Sequence, residues 1–145
     1  MGKSLLYRLF GIGKISEPLR SQLQSEGMVL LAEAVKGSVT YHDFSAPGKR
    51  DLWRRQWYVA SIALTKVRLL ALRGNNKIID VPLADERIRA MRYSLEKGGA
   101  VLCIGFDAGL LHNDWSGTIE YRFRTPEAQR FLELIPRENS SAKGE

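Results

Sequence analysis

The segment from Thr118 to Arg124 alternates strictly between apolar and charged or polar side chains. Ile119, Tyr121 and Phe123 fall on one side of an extended chain, and the residues between them fall on the other. This period of two is typical of a β-strand with one face in the core and one in water. The alternation therefore predicts a sheet that is packed on one face only.

A helix pattern follows that strand directly, over residues 125–136. Thr125 can cap the helix, and Pro126 suits its first turn. Pro136 stops the helix, because proline cannot continue the hydrogen-bonding pattern. We expect Phe131 and Ile135 to fill one end of the sheet's core. The apolar stripe at helical spacing is Ala128, Phe131, Leu132 and Ile135.

Six further strand-like runs precede these two elements, and turn residues separate several of them. Gly74-Asn75-Asn76 supplies the backbone conformations that a tight hairpin often needs. The fold class predicted is mainly β, a bent antiparallel barrel of about seven strands that a C-terminal α-helix caps. The predicted strands are Gly27–Val39, Gln56–Leu64, Val67–Leu72, Lys77–Val81, Ile88–Leu95 and Val101–Phe106.

The chain divides into three parts on this pattern. Residues 27–137 form the domain, residues 1–26 form an amphipathic, partly helical segment, and the polar residues 138–145 form a tail that we expect to be disordered. One face of the first segment is apolar, and we expect it to be buried against the barrel, a second subunit or a membrane surface. That face comprises Leu5, Leu6, Leu9 and Phe10.

The net charge of +6 is concentrated in the first half of the chain. Residues 1–73 hold twelve Lys or Arg against five Asp or Glu, whereas residues 74–145 hold ten against eleven. A basic half of this kind favours an anionic partner such as lipid headgroups, nucleic acid or an acidic protein. It equally serves solubility, so charge alone leaves both interpretations open.

The run Trp-Arg-Arg-Gln-Trp-Tyr at residues 53–58 resembles the opening of the second strand in pleckstrin-homology (PH) domains. Residues 77–83 look like the fourth strand of that family, and residues 125–135 look like its closing helix. Residues 63–70 are similar to a strand pair of bacterial PH-like and GRAM-like domains. Together these short motifs cover most of residues 27–136, and the resemblance implies a PH-like interaction module.

The resemblance also implies a binding site for anionic headgroups between the first two strands. Lys36 matches a lysine late in the first strand, and Arg54 and Arg55 match arginines early in the second. The guanidinium fork of arginine suits phosphate, because it offers two hydrogen bonds in a fixed geometry. The basic loop 49–55 that would carry the site contains Lys49, Arg50, Trp53, Arg54 and Arg55.

Two further expectations concern this loop and its surroundings. Strand alternation places Trp57 in the core, whereas Trp53 is open to either interpretation. Gln56 stands where the family has an arginine, which favours protein docking beside lipid binding. We expect a cytoplasmic protein that docks a protein partner or an anionic membrane surface, at the inner face of the membrane in the latter case, and that can form a homo-oligomer.

Other functional classes have less support in the sequence. His42 and His112 are the only histidines, and the sequence places no complementary ligands or nucleophile near either. We therefore expect no catalytic residues, no metal site and no cofactor. The buried run around Cys103 predicts a core thiol. A small β-barrel that binds nucleic acid through the basic and aromatic loop is the alternative function.

Overall fold

The structure is a computed structural model that describes residues 15–136. Seven antiparallel strands form one sheet in the order β4-β3-β2-β1-β7-β6-β5, and the described helices are short. The strands are β1 (Met28–Ala46), β2 (Lys49–Thr65), β3 (Arg68–Arg73), β4 (Asn76–Pro82), β5 (Arg92–Glu96), β6 (Val101–Asp107) and β7 (Ser116–Arg124). The helices are α1 (Glu17–Ser25), α2 (Arg87–Ala90) and α3 (Ala128–Leu134).

The predicted mainly β architecture with a C-terminal helix is confirmed. The seventh strand alternates as expected, with Ile119, Tyr121 and Phe123 buried. The sheet is not closed into a barrel: β4 and β5 are its two ends, and the described strands show no pairing between them. The apolar N-terminal face and the tail 138–145 lie outside the described residues.

A long hairpin of β1 and β2 replaces the predicted basic loop. Gly48 has a positive φ of 74°, which a glycine adopts without strain, and the turn it makes lets Ala46 pair with Lys49. The prediction of a loop over residues 49–55 was therefore wrong, because pairing with β1 extends β2 through the whole charged segment. β3 pairs with β2 only over residues 60–64, so residues 49–58 have one unpaired edge within the described chain.

The fifth predicted strand was wrong in its first half. Residues 87–90 form the single-turn helix α2, and only residues 92–96 are extended. The Asp85 carboxylate explains the difference, because it accepts a hydrogen bond from the Arg87 backbone N–H (2.9 Å) and pairs with its guanidinium (2.8 Å). Such local side-chain bonds favour a turn over a strand.

The main core lies between one face of the sheet and α3, and we call this the inner face. Phe131 and Ile135 are buried there, as predicted, beside Phe106 and Phe123. Cys103 is buried on the opposite face of the sheet, since it pairs with Arg122, and burial raises the pKa of its thiol. The helix thus covers the inner face at the end formed by β5 and β6.

Helix α1 covers part of the opposite, outer face of the sheet. Leu23 packs there with Ala63 and Leu70 in a second apolar cluster. Glu33 of β1 is buried beneath the helix, where its carboxylate accepts hydrogen bonds from the Ile15 backbone N–H (2.7 Å) and the Arg20 guanidinium (2.6 Å). A buried carboxylate needs such partners, so this contact fixes the position of α1.

Candidate functional site: a basic and aromatic cleft on the outer face

Strand pairing gathers a polar surface on the part of the outer face beyond α1. In β1, Ser38 pairs with Trp57 of β2 on one side and with Arg122 of β7 on the other. Thr40 pairs in the same way with Arg55 of β2. Because paired residues point to the same side of a sheet, these side chains share one surface.

Arg55, Trp57 and Arg122 of this surface line a cleft of about 320 Å³. Its lining contains five cationic side chains and one carboxylate, so the cleft is strongly positive. Clefts lined by one sign of charge concentrate ions of the opposite sign. The lining residues are Lys36, Gly37, Arg55, Trp57, Glu96, Lys97, Val101, Arg122 and Arg124.

An alternating series of cations and aromatic rings forms the β2 wall of the cleft. The ammonium group of Lys36 lies 4.7 Å from the centre of the Trp57 ring. The guanidinium of Arg55 lies 5.7 Å from that ring and 6.0 Å from the Trp53 ring. All three distances fall within the range of cation–π attraction. The rings hold the charged groups in place without neutralising them.

The prediction that Trp57 is a core residue was wrong. Its side chain is 58% exposed, and Trp53 is similarly exposed at 61%. The alternation along β2 was assigned in the wrong phase. The neighbouring residue, Tyr58, is the one that packs against the core. Trp57 lies on the outer face, and among the described helices α1 covers that face only nearer the other end of β2.

Arg122 is held by carboxylates at the floor of the cleft. It donates two hydrogen bonds to Glu96 (2.7 and 3.1 Å), one to Glu120 (3.2 Å) and one to the Thr40 hydroxyl (3.2 Å). Hydrogen bonding to Glu96 raises the pKa of the Arg122 guanidinium further above its ordinary value. Arg122 is therefore a structural cation whose charge is already matched.

The four other cations of the cleft have no such match. Within residues 15–136, no carboxylate lies at ion-pair distance from these side chains, which are Lys36, Arg55, Lys97 and Arg124. The hydroxyl of Ser38, which register places between Trp57 and Arg122, is fully buried and has no hydrogen-bond partner among the described residues. The cleft thus offers unmatched positive charge to an incoming anion, whereas the Ser38 hydroxyl lies beneath its lining.

The six predicted ligand-binding residues separate into two groups. Lys36, Trp53 and Arg55 lie together on the outer face. The other three lie elsewhere: Arg54 alternates to the other face beside Asp51 (3.6 Å), Lys49 lies over the Tyr41 ring (5.5 Å), and Arg50 is exposed near the turn of the hairpin.

Sequence reasoning missed three cations of the cleft, Lys97, Arg122 and Arg124. They belong to the last third of the chain, whose charge balance is not basic, and they reach the cleft only because β7 pairs with β1. The sequence did carry a signal for the two arginines of β7. The charged side of the 118–124 alternation faces away from the core, so Arg122 and Arg124 had to lie beside the side chains of a neighbouring strand.

The histidines form no larger constellation. The His42 Nε2 lies 3.2 Å from Glu120, and the His112 ring stacks on Trp115 at 3.6 Å. The part of the chain that the structure describes contains no group of three or more His, Cys, Asp or Glu side chains that could hold a metal ion.

The Arg122–Glu96 contact predicts a pH dependence of stability. Hydrogen bonding to Arg122 holds the pKa of Glu96 below its ordinary value. The contribution of a carboxylate whose folded pKa is depressed is present above the unfolded pKa, about 4.3, and is lost as pH falls through the folded value. We expect the urea midpoint of the Glu96→Gln variant to fall less on acidification than that of the wild type. An equal fall of the urea midpoint on acidification in the two proteins would contradict the contact.

No family model matches this chain, and no curated protein matches it. A search of the described residues finds no helix with the length and apolar character needed to cross a membrane.

Proposed function

We propose that this protein is a non-enzymatic, PH-like interaction module that binds a phosphate-bearing ligand in the outer cleft. The observation that carries the proposal is the convergence of Lys36, Arg55, Lys97 and Arg124 on one cleft with no carboxylate partner at ion-pair distance among the described residues. A cluster of like charges is unfavourable in the empty protein. A bound anion relieves that repulsion.

Phosphate is the anion that this set of side chains suits best. Arg55 already orients its guanidinium by donating from Nε to the Thr40 hydroxyl (2.9 Å), which leaves the two terminal nitrogens for a ligand. A guanidinium held in this way can donate two parallel hydrogen bonds to two oxygens of one phosphate group. Lys36 adds a second positive charge from the neighbouring strand β1. Its ammonium group contacts the same Trp57 ring as Arg55 does.

The source of the phosphate is either a lipid headgroup or a soluble phosphate compound, and two assays distinguish them. We expect vesicles containing an anionic phospholipid to co-sediment the protein more than neutral vesicles do, with less binding at higher salt because exposed charges are screened within about 10 Å at 0.1 M. Inorganic pyrophosphate is the soluble probe, and calorimetry measures its binding. Binding of pyrophosphate without vesicle binding identifies a soluble ligand.

The variant Lys36→Ala, Arg55→Ala tests the location of the site. We expect it to weaken binding of whichever probe binds by at least about tenfold, since hydrogen bonds to charged groups contribute about 1.5–3 kcal/mol each. The control is Arg50→Ala, Arg54→Ala, which removes the same net charge outside the cleft. An equal loss in the two variants would mean attraction by net charge alone and would overturn the proposal, as would binding of neither probe.

Docking of a protein partner is a second candidate function, and the free edge of β2 favours it. Residues 49–58 have one unpaired edge in the described chain, and Leu52 and Trp53 beside it are exposed. An extended partner segment gains backbone hydrogen bonds at such an edge. A second copy of the chain would be the simplest partner. Light scattering should show a dimer that Leu52→Lys dissociates, and a monomer at all concentrations would exclude that partner.

A further inference from the structure

A second cleft lies on the inner face of the sheet, away from the basic cleft. Tyr41 and Tyr121 line it, and they alternate with Thr40 and Arg122, whose side chains are on the outer face. The cavity has a volume of about 430 Å³, which is within the range of small-molecule sites. Its remaining lining residues are Arg73, Asn76, Lys77, Ile78, Asp80, Arg87, Leu111, His112 and Trp115.

The buried side chain of Tyr58 lies beside this cleft, against Arg73 of its lining. The Arg73 guanidinium lies 4.8 Å from the centre of the Tyr58 ring, and Tyr58 interacts electrostatically with Tyr41 and Tyr121. The Tyr58 hydroxyl is buried and has no hydrogen-bond partner among the described residues. Burial raises the pKa of both Tyr58 and Tyr121, so their hydroxyls remain protonated donors at neutral pH.

An orphaned buried hydroxyl is unusual, because folded proteins pair nearly all such groups with protein or with water. No described group lies at hydrogen-bond distance from it. The neighbouring Arg73 has one described hydrogen bond, a long one to Gln56 (3.4 Å). A carboxylate bound to Arg73 would bring an acceptor next to the Tyr58 hydroxyl.

The charges in the cleft favour a ligand with a negative charge at Arg73. Lys77 pairs with Asp80 (3.5 Å), which Arg68 also binds (3.1 Å), and Arg87 pairs with Asp85 (2.8 Å). Arg73 has no carboxylate at ion-pair distance within residues 15–136. One unmatched guanidinium fits one carboxylate, which it binds through two parallel hydrogen bonds. A doubly charged phosphate would leave one charge unmatched.

The other wall of the cleft is flat and aromatic. Trp115 stacks on His112 at 3.6 Å and meets Phe44 edge-on at 5.3 Å, so its orientation is fixed from two sides. A rigid aromatic surface suits a flat ring, which packs in an offset stack or edge to face. We propose that the inner cleft is a second binding site, distinct from the outer one, for a small aromatic carboxylate.

Benzoate tests this proposal, with benzamide as its neutral analogue of the same shape. Titration of the full chain, followed by amide NMR shifts, should show benzoate perturbing Tyr41, Arg73 and Trp115 at millimolar concentration. We expect benzamide to bind at least about tenfold more weakly, since it lacks the charge that pairs with Arg73. Equal binding of the two compounds would mean an apolar cavity, and no perturbation by benzoate would mean a water-filled one. Either result overturns the proposal.

Two variants locate the carboxylate. Arg73→Gln should abolish benzoate binding, and Tyr58→Phe should weaken it several-fold while leaving thermal stability near that of the wild type, because the lost hydroxyl has no partner among the described residues. Arg55→Gln, in the outer cleft, should leave benzoate affinity unchanged. Unchanged affinity in Arg73→Gln, or its loss in Arg55→Gln, would overturn the assignment. These outcomes are independent of any result for the outer cleft.

Discussion

Replacing Phe131 with alanine is expected to lower the free energy of unfolding by about 3–5 kcal/mol, the cost of removing a fully buried aromatic side chain. Phe131 is 0% exposed, and the helix that carries it covers the end of the sheet formed by β5 and β6. Truncation removes apolar contact area and leaves a cavity that the strands cannot readily fill. Urea unfolding, followed by circular dichroism, measures the loss.

Leu134 provides the matched control in the same helix. Its side chain is 46% exposed, so Leu134→Ala should cost less than about 1 kcal/mol. A similar loss in the two variants would indicate that the helix is destabilised as a whole. A loss below about 1 kcal/mol for Phe131→Ala would show that α3 does not close the core.

Replacing Arg20 with alanine is expected to destabilise the protein by about 3 kcal/mol, although its side chain is 23% exposed. The change removes the one ion-pair partner that Glu33 has among the described residues, and Glu33 is only 7% exposed. Breaking a buried ion pair by removing one partner is costly because the remaining charge keeps its desolvation penalty.

The double variant Arg20→Met, Glu33→Leu separates charge from packing. It removes both charges and keeps the side-chain volume approximately constant, so we expect most of the lost stability to return. Calorimetric melting of the two variants gives the comparison. A double variant as unstable as Arg20→Ala would contradict the burial of Glu33, or would assign the main cost to the lost hydrogen bond from Ile15.

The architecture could be predicted from the sequence where one local signal dominated. The strict alternation in β7 and the apolar stripe of α3 gave their elements and their buried faces, including Phe131. The prediction failed between residues 40 and 56, because this region is rich in polar and charged residues, which are usual in loops. Pairing along the β1–β2 hairpin overrides that local preference, and pairing depends on residues distant in the chain.

The site was accessible to sequence reasoning only in part, for the same reason. The resemblance to PH domains implied that Lys36 and Arg55 share one site. Arg122 and Arg124 join them through a strand that lies about eighty positions later. Strand phase added a second error, because a shift by one residue exchanges the two faces. Trp57 was placed inside, whereas its neighbour Tyr58 is the residue that packs against the core.

The central position of β1, between β2 and β7, has a consequence for the order in which this protein can form. During synthesis, β1 to β4 emerge first and can complete their ladders with one another. The opposite edge of β1 then remains unpaired until β7 leaves the ribosome, because on that edge the described partners of Gly37 to His42 are residues 118–123. Nascent chains with open strand edges associate readily with one another. The interval before β7 arrives is therefore the period in which this protein most needs a chaperone.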